Sequence, residues 1–568
     1  MQVVKSIYGD APSAQGRPGN IFDFLLTNPY NIPSSNVAFV RASDGKTLTR
    51  ADLFQSSRRL AWAFKNVLYL QAGDRVALFS PNSTTYPIVV LAALCAGITI
   101  VPLNPIYSGQ EFVHPVKDAG VKYVFAHPAV AHVAREGLQL AQVPERRGDH
   151  QTLWLVDETD ELARGENGEK DVRSLMGEQE LQTHHVADPK DTEAFVAYSS
   201  GTSGMPKGVQ LTHLNMTSVT IAIDIGVGED FNSRDTHLAV LPMFHIFGLS
   251  KFLHHALYAG IRTVVQPKFE LEQFLKAIQT YKVTCCFVVP PMLVLIAKSP
   301  VVEKYDISTL AKVLCGAAPL SAELGDEVQK RCPHIKLSQG YGLSETSPSA
   351  TLIPTKDYHK YKGSAGRLLA GVEARLVTEE GKDVAHEQGT EGVPGELWLR
   401  GPTIMKGYLN RPEATADCID KDGFFHTGDV AILKDNHFYI VDRVKELIKY
   451  KGFQVAPAEL EGLLLQHPQV ADAACIGVYS KAQATEFPRA YVVPKEASMW
   501  KEQEKAKAFA EEIVSWVNGK VANHKRLRGG AVIVEAVPKS PSGKILRRIL
   551  RDQAQKEADA AASSSSKL

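Results

Sequence analysis

The sequence carries no surplus of charge: 63 Lys and Arg stand against 63 Asp and Glu. Chains that bind nucleic acid show a basic excess, so that class is set aside. A membrane-spanning run is also missing. The most apolar stretch, "YPIVVLAALCAGITIVPL", is interrupted by Gly97 and Pro102 and reads as a buried helix running into a strand. The opening "MQVVKSIYGDAPSAQGRPGN" lacks the apolar centre of a secretory leader. Cysteine is scarce: Cys95, Cys285, Cys286, Cys315, Cys332, Cys418 and Cys475 are odd in number, scattered and without CxxC spacing. Neither a disulfide framework nor a structural zinc site is expected, and a reducing compartment fits.

What is present is a long chain of 568 residues, 44% hydrophobic, enough for several cores. From about residue 70 to 350, β-branched runs alternate with amphipathic stretches, which predicts parallel sheets with helices on both faces. From about 365 to 440, short strands with Gly-rich turns ("VEARLV", "GELWLRG", "HFYIVDR") predict a small β-rich subdomain. Mixed α/β character then resumes to about 550, and "KEQEKAKAFAEEIVSWV" reads as a helix turning Ala508, Phe509, Ile513, Val514 and Val517 to a core. The expected fold class is α/β. A large N-terminal domain (1–442) is followed by a hinge (443–446), a smaller mobile α/β C-terminal domain (447–552) and a flexible tail (553–568). That tail ends in Ser566-Lys567-Leu568, a tripeptide read by the peroxisomal import receptor, behind "AAASSSS", which is small, polar and expected to be disordered. Peroxisomal placement, with that receptor as partner, is the expectation.

Five segments carry chemistry. The first is Tyr198-Ser-Ser-Gly-Thr-Ser-Gly-Met-Pro-Lys-Gly-Val209, after the apolar run "AFVAY". Gly201, Gly204 and Gly208 free the backbone to approach an anion. Ser199, Ser200, Thr202 and Ser203 offer hydroxyls, and Lys207 adds a positive charge, a set that suits a polyphosphate. The spacing differs from that of the P-loop, since Gly208 follows the lysine. In Gln339-Gly-Tyr-Gly-Leu-Ser-Glu-Thr346, Tyr341 offers a flat face to a purine, Ser344 a hydroxyl, and Glu345 a carboxylate for Mg²⁺. Alone, it is equally a Gly-rich turn around a buried tyrosine. Thr427-Gly-Asp429 presents a short acid that can accept ribose hydroxyls, although such turns are common. Between Asp442 and Glu461, Arg443, Lys445, Lys449 and Lys451 concentrate positive charge between two domains, a place for polyanion contacts. In Pro538-Lys-Ser-Pro-Ser-Gly-Lys-Ile-Leu-Arg-Arg548, Lys544 follows a Ser-Gly turn from which an ammonium can reach a partner domain.

Taken together and in this order, "YSSGTSGMPKGV", "LPMFHIFGL", "GAAPL", "QGYGLSE", "TGD", "KELIKYKGFQVAPAELE" and "PSGKI" resemble the adenylate-forming superfamily over nearly the whole chain. The branch it looks most like holds 4-coumarate–CoA ligases, fatty acyl-CoA synthetases and beetle luciferases. The resemblance implies an ATP-dependent acid–CoA ligase that uses ATP, Mg²⁺ and coenzyme A on a small carboxylic acid. It also implies roles. Ser199 to Gly204 with Lys207 would hold the triphosphate. Ala317 to Pro319 and Gln339 to Gly342 would frame the adenine, with Tyr341 stacking. Ser344 would touch phosphate, Glu345 bind Mg²⁺, and Asp429 and Arg443 bind the ribose. Lys445 and Lys449 would lie near the adenylate, and Lys451, Gly452 and Lys268 would contact CoA. Lys544 would be the adenylation lysine, and rotation about the hinge would replace it by the segment around Gly452. His245 would gate the acyl pocket or orient the adenylate, unless it is a buried structural histidine.

This sequence departs from the hydroxycinnamate ligases at Phe247, where they carry an aromatic hydroxyl, and at Lys251, where they carry a small polar residue. Thr346, Ser347 and Pro348 also replace a small apolar sequence. Aryl-alkanoic and fatty acids are therefore expected alongside cinnamate-type acids. Luciferase-like monooxygenases and carrier-protein-loading enzymes are the alternatives. Lys451 and Gly452 speak against carrier loading, and intact Lys544 and Glu345 against a non-catalytic sensor.

Overall fold

The computed structural model describes residues 2–10, 17–144, 151–199, 205–384, 392–443, 445–451, 453–480, 483, 485–540 and 543–565. Two largely parallel sheets dominate. In one of nine strands, Lys336–Tyr341, Lys312–Cys315, Cys285–Val288, Thr236–Ala239, Arg262–Val265 and Val37–Arg41 lie side by side and parallel. In one of seven, Thr99–Leu103, Arg75–Phe79 and Tyr123–Ala126 form the parallel centre. Strands buried on both faces read as continuous apolar runs, which is why Thr99–Leu103 is buried at every position.

The helices follow the sequence pattern. Tyr86–Cys95 is buried at all ten positions and leads into Thr99–Leu103, as expected. Leu271–Tyr281 buries Phe274, Leu275, Ala277 and Ile278, one helical stripe, and ends where Lys282 turns left-handed at φ 52°. The predicted β-rich region is an antiparallel sheet of Glu373–Val377, Gly395–Arg400, Phe425–Lys434 and His437–Arg443, edged by Val4–Lys5.

The C-terminal domain has its own cores. Strands Val470–Ser480, Thr485–Pro494 and Ala531–Ile533 carry helices Pro457–Leu464 and Gln503–Asn518. Phe509, Ile513 and Val517 are buried as predicted; Ala508 is exposed, one position around the helix from that stripe. Helix Arg547–Ser565 runs into the stretch from 553 that the sequence reading assigns to the tail. Leu550 and Ala554 seat this helix against Ile476 and Tyr491, and its alanines favour helix. Ser566-Lys567-Leu568 lies outside the described residues. Among the described residues, no helix is long and apolar enough to cross a membrane.

Candidate active site

Strands Glu193–Ser199 and Lys207–Thr212 form a hairpin with Ser199 opposite Lys207. Ser200, Gly201, Thr202, Ser203 and Gly204, between them, lie outside the described residues. Gly208 has no room for a side chain, since a Cβ there would come within 2.8 Å of Val196. The Lys207 ammonium lies 4.8 Å from the centre of the Tyr408 ring. The Tyr408 hydroxyl donates to Glu345 Oε1 at 2.9 Å, and Ser199 Oγ reaches the same oxygen at 3.5 Å. Three distant segments thus meet at one carboxylate. Tyr408 is fixed by strand pairing with Val209 and by its N–H donating to Thr415 Oγ1 at 2.9 Å.

Strand Lys336–Tyr341 carries Gln339, Gly340 and Tyr341 to the C-terminal edge of its sheet. Gly342 is obligatory: a Cβ there would sit 1.6 Å from the Pro348 carbonyl oxygen. Ser344 and Glu345 follow in a short helical turn, pinned by Met405 N–H donating to the Glu345 carbonyl at 2.9 Å. Gln339 is buried with its side-chain oxygen unpartnered, whereas Ala317, in the left-handed region at φ 65°, and Pro319 are exposed.

Asp429 and Arg443 face each other across Phe425–Lys434 and His437–Arg443. Arg443 Nε donates to Asp429 Oδ1 at 3.2 Å, and the Tyr341 hydroxyl donates to Oδ2 at 2.6 Å. The tyrosine, read in sequence for its ring, is also an acid-positioning hydroxyl. Burial raises the Asp429 carboxyl, and Arg443, Tyr341 and Lys544 oppose that rise.

Lys544 enters from the other domain. Its loop is closed by Ser540 N–H donating to the Lys544 carbonyl at 2.8 Å, and Gly543 turns at φ 79° with its Cβ direction 3.1 Å from Val289. The loop therefore lies over the end of strand Cys285–Val288. Burial and Arg443 bring Lys544 down to about 8, opposed by Glu446, Asp429 and Glu345. His245 Nδ1 accepts from Phe247 N–H at 3.2 Å; burial, then the Lys544 charge, lowers the imidazole to about 4. So the fold gathers Glu345, Asp429, Arg443, His245 and Lys544 around one space, although they come from both domains.

Other predicted residues stand apart. Lys445 is exposed. Lys449 and Lys451 are exposed on the hairpin Ile448–Tyr450 and Phe453–Val455, with backbone contacts to Glu486 and Thr485. Lys268 is exposed and paired with Glu270 at 2.6 Å. Gly452, and Val444 of the expected hinge, lie outside the described residues. Phe247 packs against Phe287 at 6.1 Å between ring centres and lies over Gly316, while Lys251 is buried. Three contributors went unread in the sequence: Tyr408, Glu446 and Arg547. Glu446 sits inside a block read for its cations, and nothing in the spacing around Tyr408 marks its hydroxyl.

The family model of AMP-binding enzymes matches residues 29–409, and that of their C-terminal domain matches 459–544. The chain belongs to the AMP-binding enzyme family. It is 38% identical over 499 residues to a probable 4-coumarate–CoA ligase 1 of Dictyostelium discoideum, covering 86% of this chain and 87% of that one. Identity to the peroxisomal OPC-8:0-CoA ligase 1 of Arabidopsis thaliana is 36% over 521 residues, 90% of each chain. ATP-bound MatB from Rhodopseudomonas palustris shares the fold with a TM-score of 0.79 and 26% identity, covering 94% of this chain and 99% of that one. Within this AMP-binding enzyme, Ser199, Lys207, Glu345 and Tyr408 fall in the first matched segment, and Lys544 closes the second.

Proposed function

We propose that the chain is an ATP-dependent acid–CoA ligase, which forms an acyl-adenylate and then an acyl-CoA thioester. The observation that carries this reading is the placement of the C-terminal Lys544 beside Asp429, Arg443 and Glu345 of the large domain. A carboxylate attacking the α-phosphorus of ATP brings two anions together. Lys207 and Lys544 offset that repulsion and hold the phosphate oxygens as charge shifts. Asp429 keeps acceptor capacity for ribose hydroxyls beyond its bonds to Tyr341 and Arg443, because a carboxylate offers about four lone-pair sites. His245 is neutral near pH 7, and with Nδ1 accepting from Phe247 it carries its proton on Nε2. That N–H can orient the acid or its adenylate.

Glu345, with Ser199 and Tyr408 hydroxyls on one of its oxygens, fits Mg²⁺, which commonly takes one or two carboxylates plus substrate phosphates. Glu345 would hold the ion, which when bound supplies charge neutralisation at the phosphates.

For the second step, residues 447–552 rotate about 443–446, withdrawing Lys544 and bringing the hairpin with Lys449, Lys451 and Gly452 to the CoA channel, with Lys268 as a further contact. Supporting this is the exposure of Lys449 and Lys451, whose backbone N–H groups bond to Glu486 and Thr485 of the same domain. Phe247 cannot hydrogen-bond a phenol, so aryl-alkanoic and fatty acids join cinnamate-type acids as substrates. CoA-dependent AMP release over a panel of these acids tests the reading. Absence of turnover with every acid would refute it. Ser566-Lys567-Leu568 is proposed to engage the peroxisomal import receptor; a fluorescent fusion lacking it should be cytosolic, and retained punctate targeting would exclude that role.

A further inference from the structure

Lys251 occupies an unusual place for a charged side chain. It belongs to the π-helical stretch Leu249–His255, which continues the helical start at His245, and widened turns of this kind recur at functional sites. Phe247 and Lys251, four residues apart, share a helix face. That face meets strand Cys285–Val288: Phe247 packs on Phe287, and Cys285, two residues away on the same side of the strand, is close enough to act electrostatically on the Lys251 amine. Phe247 itself lies over Gly316, next to Ala317.

Lys251 is 1% exposed, and its amine has no hydrogen-bond or ion-pair partner among the described residues. Its polar neighbours are His237, His255 and the Cys285 thiol. Both ring nitrogens of His237, which is 0% exposed, also lack partners. The acids in this region are engaged elsewhere. Asp224 accepts from the Tyr30 hydroxyl at 2.5 Å and faces His255 at 3.7 Å; Asp235 takes Lys312 at 2.6 Å and Thr284 Oγ1 at 2.7 Å. Buried donors with no acceptor destabilise a fold, and an acceptor arriving with a ligand relieves that cost. Burial lowers Lys251 to about 7, so an anion nearby would restore its full charge.

We propose that Lys251, with His237 beside it, receives a second carboxylate at the far end of the substrate, so that the acid is dicarboxylic. This rests on the acid–CoA ligase reading, with the reacting carboxyl at His245. Lys251 lies six positions beyond His245, a span of at most about 9 Å at the α-helical rise of about 1.5 Å per residue, and less through the wider π-helical turn. Phe247 and Phe287 supply apolar walls for the methylene or aryl body between the two carboxylates.

The test uses the full chain and CoA-dependent AMP release. Straight-chain diacids of about six to about twelve carbons, bracketing that span, are each compared with the monoacid of equal length. The expected result is a kcat/KM at least about tenfold higher for the best diacid, reversed in favour of the monoacid by Lys251→Met. The thermal midpoint of Lys251→Met should be no lower than that of the parent, because an apolar near-isostere removes an unsatisfied donor. Preference of the parent for the monoacid at every length overturns the proposal while leaving the ligase reading standing. So does a Lys251→Met variant that loses both activities in proportion, or one whose midpoint falls while its preference is unchanged. Failure of every acid, mono or di, to release AMP defeats the ligase reading and this inference with it.

Discussion

Arg547 Nη2 donates to both oxygens of Glu461, at 2.8 and 2.7 Å, while its Nη1 donates to Glu446. The guanidinium and both carboxylates are about nine-tenths buried. Glu446 belongs to the segment proposed as the hinge, and Arg547 lies three residues beyond Lys544, so one guanidinium holds that segment and the Lys544 loop together. Arg547→Met should strand two buried carboxylates and cost about 3–5 kcal/mol in denaturant unfolding of the C-terminal domain. A loss below about 1 kcal/mol, the scale of an exposed pair, would contradict the clamp.

Lys544→Ala should lower adenylate formation by at least about 10²-fold, the scale of losing one positioned electrostatic group. Thioester formation from supplied acyl-adenylate should survive. Assaying the half-reactions separately decides the matter, and equal loss of both would remove Lys544 from the first step.

The same lysine predicts a pH dependence. Its ammonium titrates at about 8, below the ordinary lysine value, through burial and Arg443. Adenylation, which needs the cation, should fall as pH rises through about 8. Stability should move the other way: between that value and the higher one of the unfolded chain, the unfolded state binds more protons, so this group's contribution to folding improves with pH. Lys544→Arg should flatten the alkaline limb, because a guanidinium stays charged. An unchanged limb in that variant would show that another group titrates.

Tyr408→Phe keeps the ring beside Lys207 and removes one hydrogen bond to Glu345. A bond to a charged group contributes about 1.5–3 kcal/mol, so the Mg²⁺ requirement should rise by about tenfold or more. Titrating Mg²⁺ at fixed ATP measures it. Glu345→Gln should raise it further; equal effects in the two variants would mean that the carboxylate does not bind the ion.

Much of this was legible because local physics wrote it. The segment from Ser199 to Gly208 and the Gln339–Gly342 strand end stand out in the sequence by their glycines, of which Gly208 and Gly342 have no room for a side chain, and the strand–helix alternation gave both parallel sheets. Tyr408 and Arg547 stayed silent because their partners lie 63 and 101 residues away, at Glu345 and Glu446. No periodicity records such a meeting. The helix entering the tail was not legible for another reason: the serines there suggest disorder, while Leu550 and Ala554 anchor a helix rich in alanine.

Lys544 sits on a loop seated against Val289, and it is the last residue of the adenylating cluster to be synthesised. On the ribosome, the groups proposed to bind nucleotide, from Ser199 to Arg443, emerge while the chain still lacks the proposed adenylation lysine. On the proposed reading, only a polypeptide interrupted between Arg443 and that loop would carry the nucleotide-side groups without Lys544, so that catalytic competence arrives only when almost the whole molecule has been made.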